Sequence, residues 1–213
     1  MKVALIGASG FVGTAVLTEL LNRDYKVTAL VRHPEKISTV NEDLTIKAAD
    51  IFNTTALAEL ISGHDAVVSA YNPGWTNPEI YADFIKGSES IQQAVKASGV
   101  KRLLVVGGAG SLEIDGKQLV DGLQFPAEYK PGATAARDYL NIIRKEEALD
   151  WTFLSPAINL HPGERTAKFR LGTDSPVFDA AGKCEIYVED MAVAIVNELE
   201  NNNYIKKRFT LGY

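Results

Sequence analysis

Three glycines, Gly7, Gly10 and Gly13, stand three residues apart directly behind the apolar run at 3–6. At the first position, glycine permits a tight turn from strand to helix. At the second, the missing Cβ lets the backbone approach a pyrophosphate. At the third, it lets the helix pack closely on the strand. Phe11–Asn22 has a helical pattern and Lys26–Val31 that of a second strand. The glycines therefore have the strand and helix that their chemistry requires. A helix N-terminus offers unpaired N–H groups and the positive end of its dipole to phosphate. Phe11 and Val12 lie on that first turn, and Ser9 can add a hydroxyl donor. The implied ligand is a nicotinamide dinucleotide.

The end of the second strand bears on which dinucleotide. A site for NAD needs an acidic residue there to hold the ribose 2′-hydroxyl. This strand runs instead into Arg32 and His33, while Asp24 precedes it and Glu35 lies past Pro34. The guanidinium of Arg32 suits a 2′-phosphate, with Lys36 as a second positive charge. The expectation is NADPH in preference to NADH, with NAD still possible. The other reading of Arg32 is stacking on adenine or facing water.

These residues need a scaffold. Short apolar runs alternate with longer amphipathic stretches: strands at 3–6, 26–31, 44–48, 65–70, 102–106, 151–154 and 208–211, and helices at 11–22, 54–62, 78–98, 134–149 and 190–201. Such alternation predicts an α/β fold, a doubly wound parallel sheet of Rossmann type with helices on both faces. Two glycine-rich stretches without period, 107–132 and 157–185, each follow a strand. Ligands in open α/β sheets sit beyond the C-terminal strand ends. Both stretches are read as substrate-side loops, with a small C-terminal lobe, within one domain over 1–213.

The 213 residues carry a formal net charge of -5 and one cysteine, Cys184. That balance argues against nucleic acid or an anionic membrane surface as the partner. One cysteine allows no internal disulfide, and a reducing cytoplasm is the expected compartment. The first ten residues read as a strand meeting a turn rather than a signal peptide, and no apolar run approaches the length of a membrane span. His33 and His64 have no partners at ligand spacing, so no metal site is expected. The expected partner is a small-molecule hydride acceptor, and the chain is expected as a monomer or homodimer.

The spacing GxxGxxG resembles the extended and atypical branches of the short-chain dehydrogenase/reductase superfamily. Over nearly its whole length the chain is similar to NAD(P)H-binding reductases labelled NADH-flavin reductases, relatives of the NAD-dependent epimerase/dehydratase group. The resemblance rests on GASGFVG at 7–13, LVRHPEK at 30–36, VVGGAGSL at 105–112, LDWTFLSPA at 149–157, PGERTAKFRLG at 162–172 and IYVEDMAVAI at 186–195. It implies that Asp50, with Ile51, ends the third strand where an aspartate accepts a hydrogen bond from the adenine amine. It implies that Ala70, Tyr71 and Asn72 pass the ribose. It places Gly107, Gly108 and Ser111 near the nicotinamide, along with Ser155, Pro156 and Ala157.

Typical members of the superfamily move a proton with a Tyr-x-x-x-Lys pair. Here Tyr71, Tyr81, Tyr129, Tyr139 and Tyr187 are followed four residues later by Trp75, Ile85, Ala133, Ile143 and Met191. Without that pair, alcohol oxidation or sugar epimerisation by the usual route is in doubt. Reduction of a flavin or quinone needs less, because the cofactor carries the chemistry and solvent can supply the proton. Phe11, Tyr71, Trp75, Phe125 and Tyr129 are candidate walls of an aromatic pocket, against the plainer reading that they fill loops or core. Ser111, Tyr129 and His161 are the candidate proton donors. The leading expectation is an NADPH-dependent reductase of a flavin or quinone-like acceptor. A non-catalytic nucleotide sensor and a nucleotide-sugar epimerase/dehydratase are the alternatives.

Overall fold

Eight strands form one sheet at the centre of the computed structural model, which describes residues 1–213. The chain runs β1 Lys2–Ile6, α1 Phe11–Asn22, β2 Lys26–Val31, β3 Leu44–Ala48, α2 Thr54–Ile61, β4 Ala66–Ser69, α3 Ile80–Ser98 and β5 Arg102–Val106. It continues with β6 Glu113–Ile114, β7 Lys117–Gln118, α4 Lys130–Ile143, β8 Asp150–Ser155, β9 Asn159–His161, β10 Arg170–Gly172, β11 Glu185–Tyr187, α5 Val188–Asn201 and β12 Lys207–Gly212. The sheet order is β10-β12-β8-β5-β4-β1-β2-β3, all parallel except β10, which pairs antiparallel with β12. Chain order reverses between β1 and β4. That switch point opens a crevice beyond the strand ends.

Strand alternation explains the two cores. Val3 and Leu5 face one side of β1, with Val16, Leu17 and Leu20 of α1 and Met191, Ile195 and Leu199 of α5. Ala4 and Ile6 face the other, with Leu57 and Ile61 of α2, Phe84 and Ile91 of α3 and Tyr139 and Leu140 of α4. The doubly wound arrangement expected from the sequence is thus present.

The aperiodic stretches hold more structure than their composition revealed. β6 and β7 form a hairpin, and β9 pairs in parallel with β11 outside the main sheet. α4 starts at Lys130 rather than at 134, since Pro131 in its first turn needs no N–H partner. It stops at Ile143 rather than at 149. The N–H groups of Lys145 and Glu146 fold back on Ile142 and Ile143, and the Glu146 carboxylate accepts from Ala148 N at 2.7 Å.

His64, buried between α2 and β4, bridges two elements. Its Nδ1–H donates to Ile61 O at 2.7 Å, which leaves Nε2 to accept from Thr28 Oγ1 at 2.7 Å. Burial holds its pKa below the usual histidine value. The folded state therefore binds this proton more weakly than the unfolded chain does. The stability from neutral His64 is full above the unfolded pKa of ~6.5 and falls as the pH drops below it. Denaturant midpoints on either side of that value should converge on acidification between wild type and His64→Gln. Parallel loss in the two proteins would contradict this role.

Candidate functional site

A cleft of about 1460 Å³ lies beyond the C-terminal ends of β1, β2, β4, β5 and β8. One end is built from the turn between β1 and α1. Gly7 has φ +80°, in the left-handed region, and a Cβ there would stand 2.7 Å from Ala70 O. Gly13 would bring a Cβ within 2.0 Å of Gly7 O, so it serves helix packing and does not line the cleft. Gly10 differs from both. It caps α1 with extended backbone (φ -82°, ψ 172°), and a Cβ would meet only Gly7 O at 3.4 Å. The space over Gly10 is left open in front of the α1 N–H groups, with Ser9, Phe11 and Val12 on the same wall. This cradle fits a pyrophosphate.

Arg32, His33 and Lys36 line the same end, beside Ile51 and Phe52. His33 Nδ1 lies 3.1 Å from Glu35 Oε1. The charged heads of Arg32 and Lys36 have no protein partner. Asp50 follows β3, where it closes a turn off the cleft wall. Its carboxylate accepts from Phe52 N at 2.9 Å. This local bond with the backbone two residues on is an ordinary use of aspartate at a strand end.

Ala70, Tyr71 and Asn72 line the middle of the cleft. Tyr71 donates its hydroxyl to Asp83 O at 3.0 Å, and its ring lies where a side chain on Gly87 would otherwise stand. Burial pushes its pKa up to about 12, with Asp83 adding to the shift. Tyr71 is thus an anchored wall and a poor acid at neutral pH. Asn72 turns its Oδ1 back to accept from Gly74 N at 2.8 Å.

At the far end Gly107, Gly108, Pro156 and Ala157 form one side of the cleft. A Cβ on Gly107 would overlap the Phe153 ring at 2.0 Å. Ser111 and Ser155, expected beside them, are fully buried and do not line the cleft. Ser111 Oγ lies 3.1 Å from Ser155 Oγ, and Arg208 Nη1 donates to Ser111 O at 2.6 Å and to Oγ at 3.2 Å. Arg208 also pairs with Asp174. The two serines brace the wall from behind. Sequence reasoning missed Arg208 because its partner lies 97 residues away.

His161 and Tyr129 do line the cleft. His161 meets the Tyr187 ring edge-on, with centroids 5.1 Å apart. Tyr129 precedes α4 and meets Trp75 edge-on at 5.4 Å. Asp190 went unnoticed in the sequence. Fully buried, it accepts from Thr166 N at 2.8 Å, Ala167 N at 2.7 Å and Tyr213 OH at 2.8 Å. Glu189 holds Gly163 N, and Glu19 of α1 holds Arg165. Asp190 and Glu189 fasten the segment after His161 to α5, and Glu19 ties it to α1. No group of three or more His, Cys, Asp or Glu side chains is gathered to hold a metal ion, and no helix is long and apolar enough to cross a membrane.

The sheet, the switch-point cleft and the glycine cradle define a nicotinamide-dinucleotide-binding protein. The chain matches the model of the NAD(P)H-binding family over residues 7–202 and belongs to that family. The uncharacterized protein YwnB of Bacillus subtilis is 37% identical over 99% of this chain and 98% of its own. A solved structure from Bacteroides thetaiotaomicron, provisionally assigned as an epimerase, is 48% identical with a TM-score of 0.94, covering 100% of this chain and 96% of that one. Another, from Streptococcus pneumoniae and provisionally assigned as an NADH-flavin reductase, is 35% identical with a TM-score of 0.87, covering 100% and 99%.

Proposed function

We propose that this protein is a cytoplasmic, NADPH-dependent reductase that passes a hydride to a flavin or a quinone-like acceptor. The observation that carries this reading is the makeup of the acceptor end. It offers flat apolar and aromatic surface but no tyrosine–lysine pair, its Tyr71 hydroxyl is engaged, and its Ser111 hydroxyl is sealed from the cleft. The dinucleotide supplies the hydride when bound. A quinone that takes up this hydride needs one further proton, which water can give, so positioning and exclusion of side reactions are the protein's share. The likeness to the Streptococcus protein supports the same reading. The Bacteroides relative's assignment favours an epimerase instead, but the Tyr-x-x-x-Lys spacing of the usual route to that chemistry is absent from the chain.

NADPH oxidation screened against flavins, quinones and small carbonyls tests the proposal, and turnover should fall on the first two classes. Tyr129 and His161 are the ionisable side chains of the expected proton donors that remain in the cleft. Tyr129→Phe and His161→Ala should each lower kcat by less than the ~10²–10⁴-fold typical of a lost general acid or base. A larger loss with intact cofactor binding would identify a catalytic acid and overturn the solvent-proton reading.

A further inference from the structure

Four of the aromatic rings on the cleft wall are exposed, and two of them, Phe11 and Phe52, lie beside the glycine turn and beside Arg32 and Lys36. Toward the glycine strip, Phe153 is buried behind Gly107, and Tyr71 is pinned between Asp83 and Gly87. Trp75 and Tyr129 are the exposed pair on that side. They stay 53% and 45% exposed, with ring planes at 88° and centroids 5.4 Å apart, and both line the cleft. The Tyr129 hydroxyl has no protein partner.

This corner is seated from behind. A Cβ on Gly132 would stand 2.7 Å from Trp75 Cζ3 and 2.8 Å from Ile80 Cδ1, so the indole occupies the space that this glycine leaves. The next residue, Ala133, packs against Gly110, whose Cβ would stand 2.9 Å from that of Ala133. Gly110 continues the strip of Gly107 and Gly108 at the far end of the cleft. The Trp75 turn is itself fixed: Asn77 N donates to Gly74 O at 3.1 Å, and the Asn77 amide donates to Asp83 Oδ2 at 2.8 Å. Two uncovered rings at right angles, one step from the glycine strip, form an L-shaped aromatic wall. Such a wall takes a planar conjugated ring by stacking on one ring and edge contact with the other.

The geometry points to Trp75 and Tyr129 as the specificity-determining contact for the hydride acceptor, a flat conjugated ring system of the isoalloxazine or naphthoquinone kind. This rests on the reductase reading and adds where the acceptor lies and which side chains select it. Gly132 is the positioning residue, because its lack of a side chain sets the plane of the indole.

FMN and menadione are suitable probes. The chain has two tryptophans, Trp75 and the buried Trp151, so the emission and quenching that wild type shows beyond Trp75→Ala report on the corner. With saturating NADP⁺, either probe should quench wild-type tryptophan emission saturably. In Trp75→Ala, KM for both probes should rise roughly five- to a hundredfold, the range of aromatic stacking contacts. Gly132→Ala, which keeps the tryptophan but displaces its ring, should shift KM the same way. NADPH affinity by calorimetry should be unchanged in both variants. Unchanged acceptor KM in both, with the wild type turning over, overturns the corner and leaves the reductase reading standing. Equal loss of NADPH affinity assigns Trp75 to the cofactor and also overturns it. If the wild type neither binds nor reduces either probe, the reductase reading fails and takes the corner with it.

Discussion

Gly10→Val is expected to fold normally and to lose dinucleotide binding altogether. The two halves of that expectation have separate physical grounds. Folding survives because Gly10 has a backbone conformation open to any L residue, and an added Cβ meets nothing closer than 3.4 Å. Binding fails because the branches of valine would stand in the open space before the α1 N–H groups, where the pyrophosphate must make its closest approach. The neighbouring glycines cannot give so clean an answer. Valine at Gly13 would collide with Gly7 O, and Gly7 combines a left-handed φ with a Cβ 2.7 Å from Ala70 O. Those variants would lose helix–strand packing as well as cofactor. Thermal unfolding and calorimetric titration with NADPH check both halves. Unchanged affinity in a folded Gly10→Val protein would remove the pyrophosphate from this turn.

Arg32→Ala should weaken NADPH roughly tenfold to a hundredfold and leave NADH nearly unaffected, the range for losing a charge-assisted hydrogen bond to phosphate. Arg32 lies on the cleft wall without a protein partner, and Lys36 lies nearby on the same wall. An arginine engaged in an ion pair would have to break it to meet a ligand; this one has none to break. The nearest carboxylate in sequence, Glu35, is occupied with His33 at 3.1 Å. The ratio of kcat/KM for NADPH over NADH, in wild type and variant, is the deciding quantity. Preference for NADH in the wild type, or equal loss for both cofactors in the variant, would mean that Arg32 stacks on adenine or faces water.

The strands, the first helix and the glycine turn at the head of the cleft were legible because local rules govern them. Gly7, Gly10 and Gly13 sit in consecutive turns, and α1, β2, β3 and β5 follow from strong periodicity with the bounds expected. Arg32 follows from the end of one strand. At Asp50 two local uses of an aspartate compete, and the bond from Phe52 N to its Oδ1 is the turn use. The acceptor half depends on contacts between distant segments, which periodicity does not record. Ser111 reads as a candidate proton donor beside a glycine strip, and only the fold shows β12 delivering Arg208 to its carbonyl. Asp190 reads as a first-turn acid of α5, yet it fastens Thr166, Ala167 and Tyr213. Strands of two or three residues, such as β6, β9 and β11, are too short to show alternation. The last turns expected of α4 are lost to Glu146, whose carboxylate bonds to Gln92, Lys96 and Ala148 N.

Net reduction separates a reductase from an epimerase or a sensor built on the same cleft, and the stoichiometry of cofactor consumption measures it. A reductase consumes NADPH mole for mole with the acceptor it reduces. An epimerase using the same cleft would restore its cofactor in each cycle, and a sensor would bind without oxidising it. The account predicts acceptor-dependent NADPH oxidation by the purified protein, matched mole for mole by reduced FMN or reduced menadione. Tight NADPH binding with no net oxidation in the presence of either acceptor would contradict it, as would conversion of a nucleotide-sugar with no net change in the cofactor.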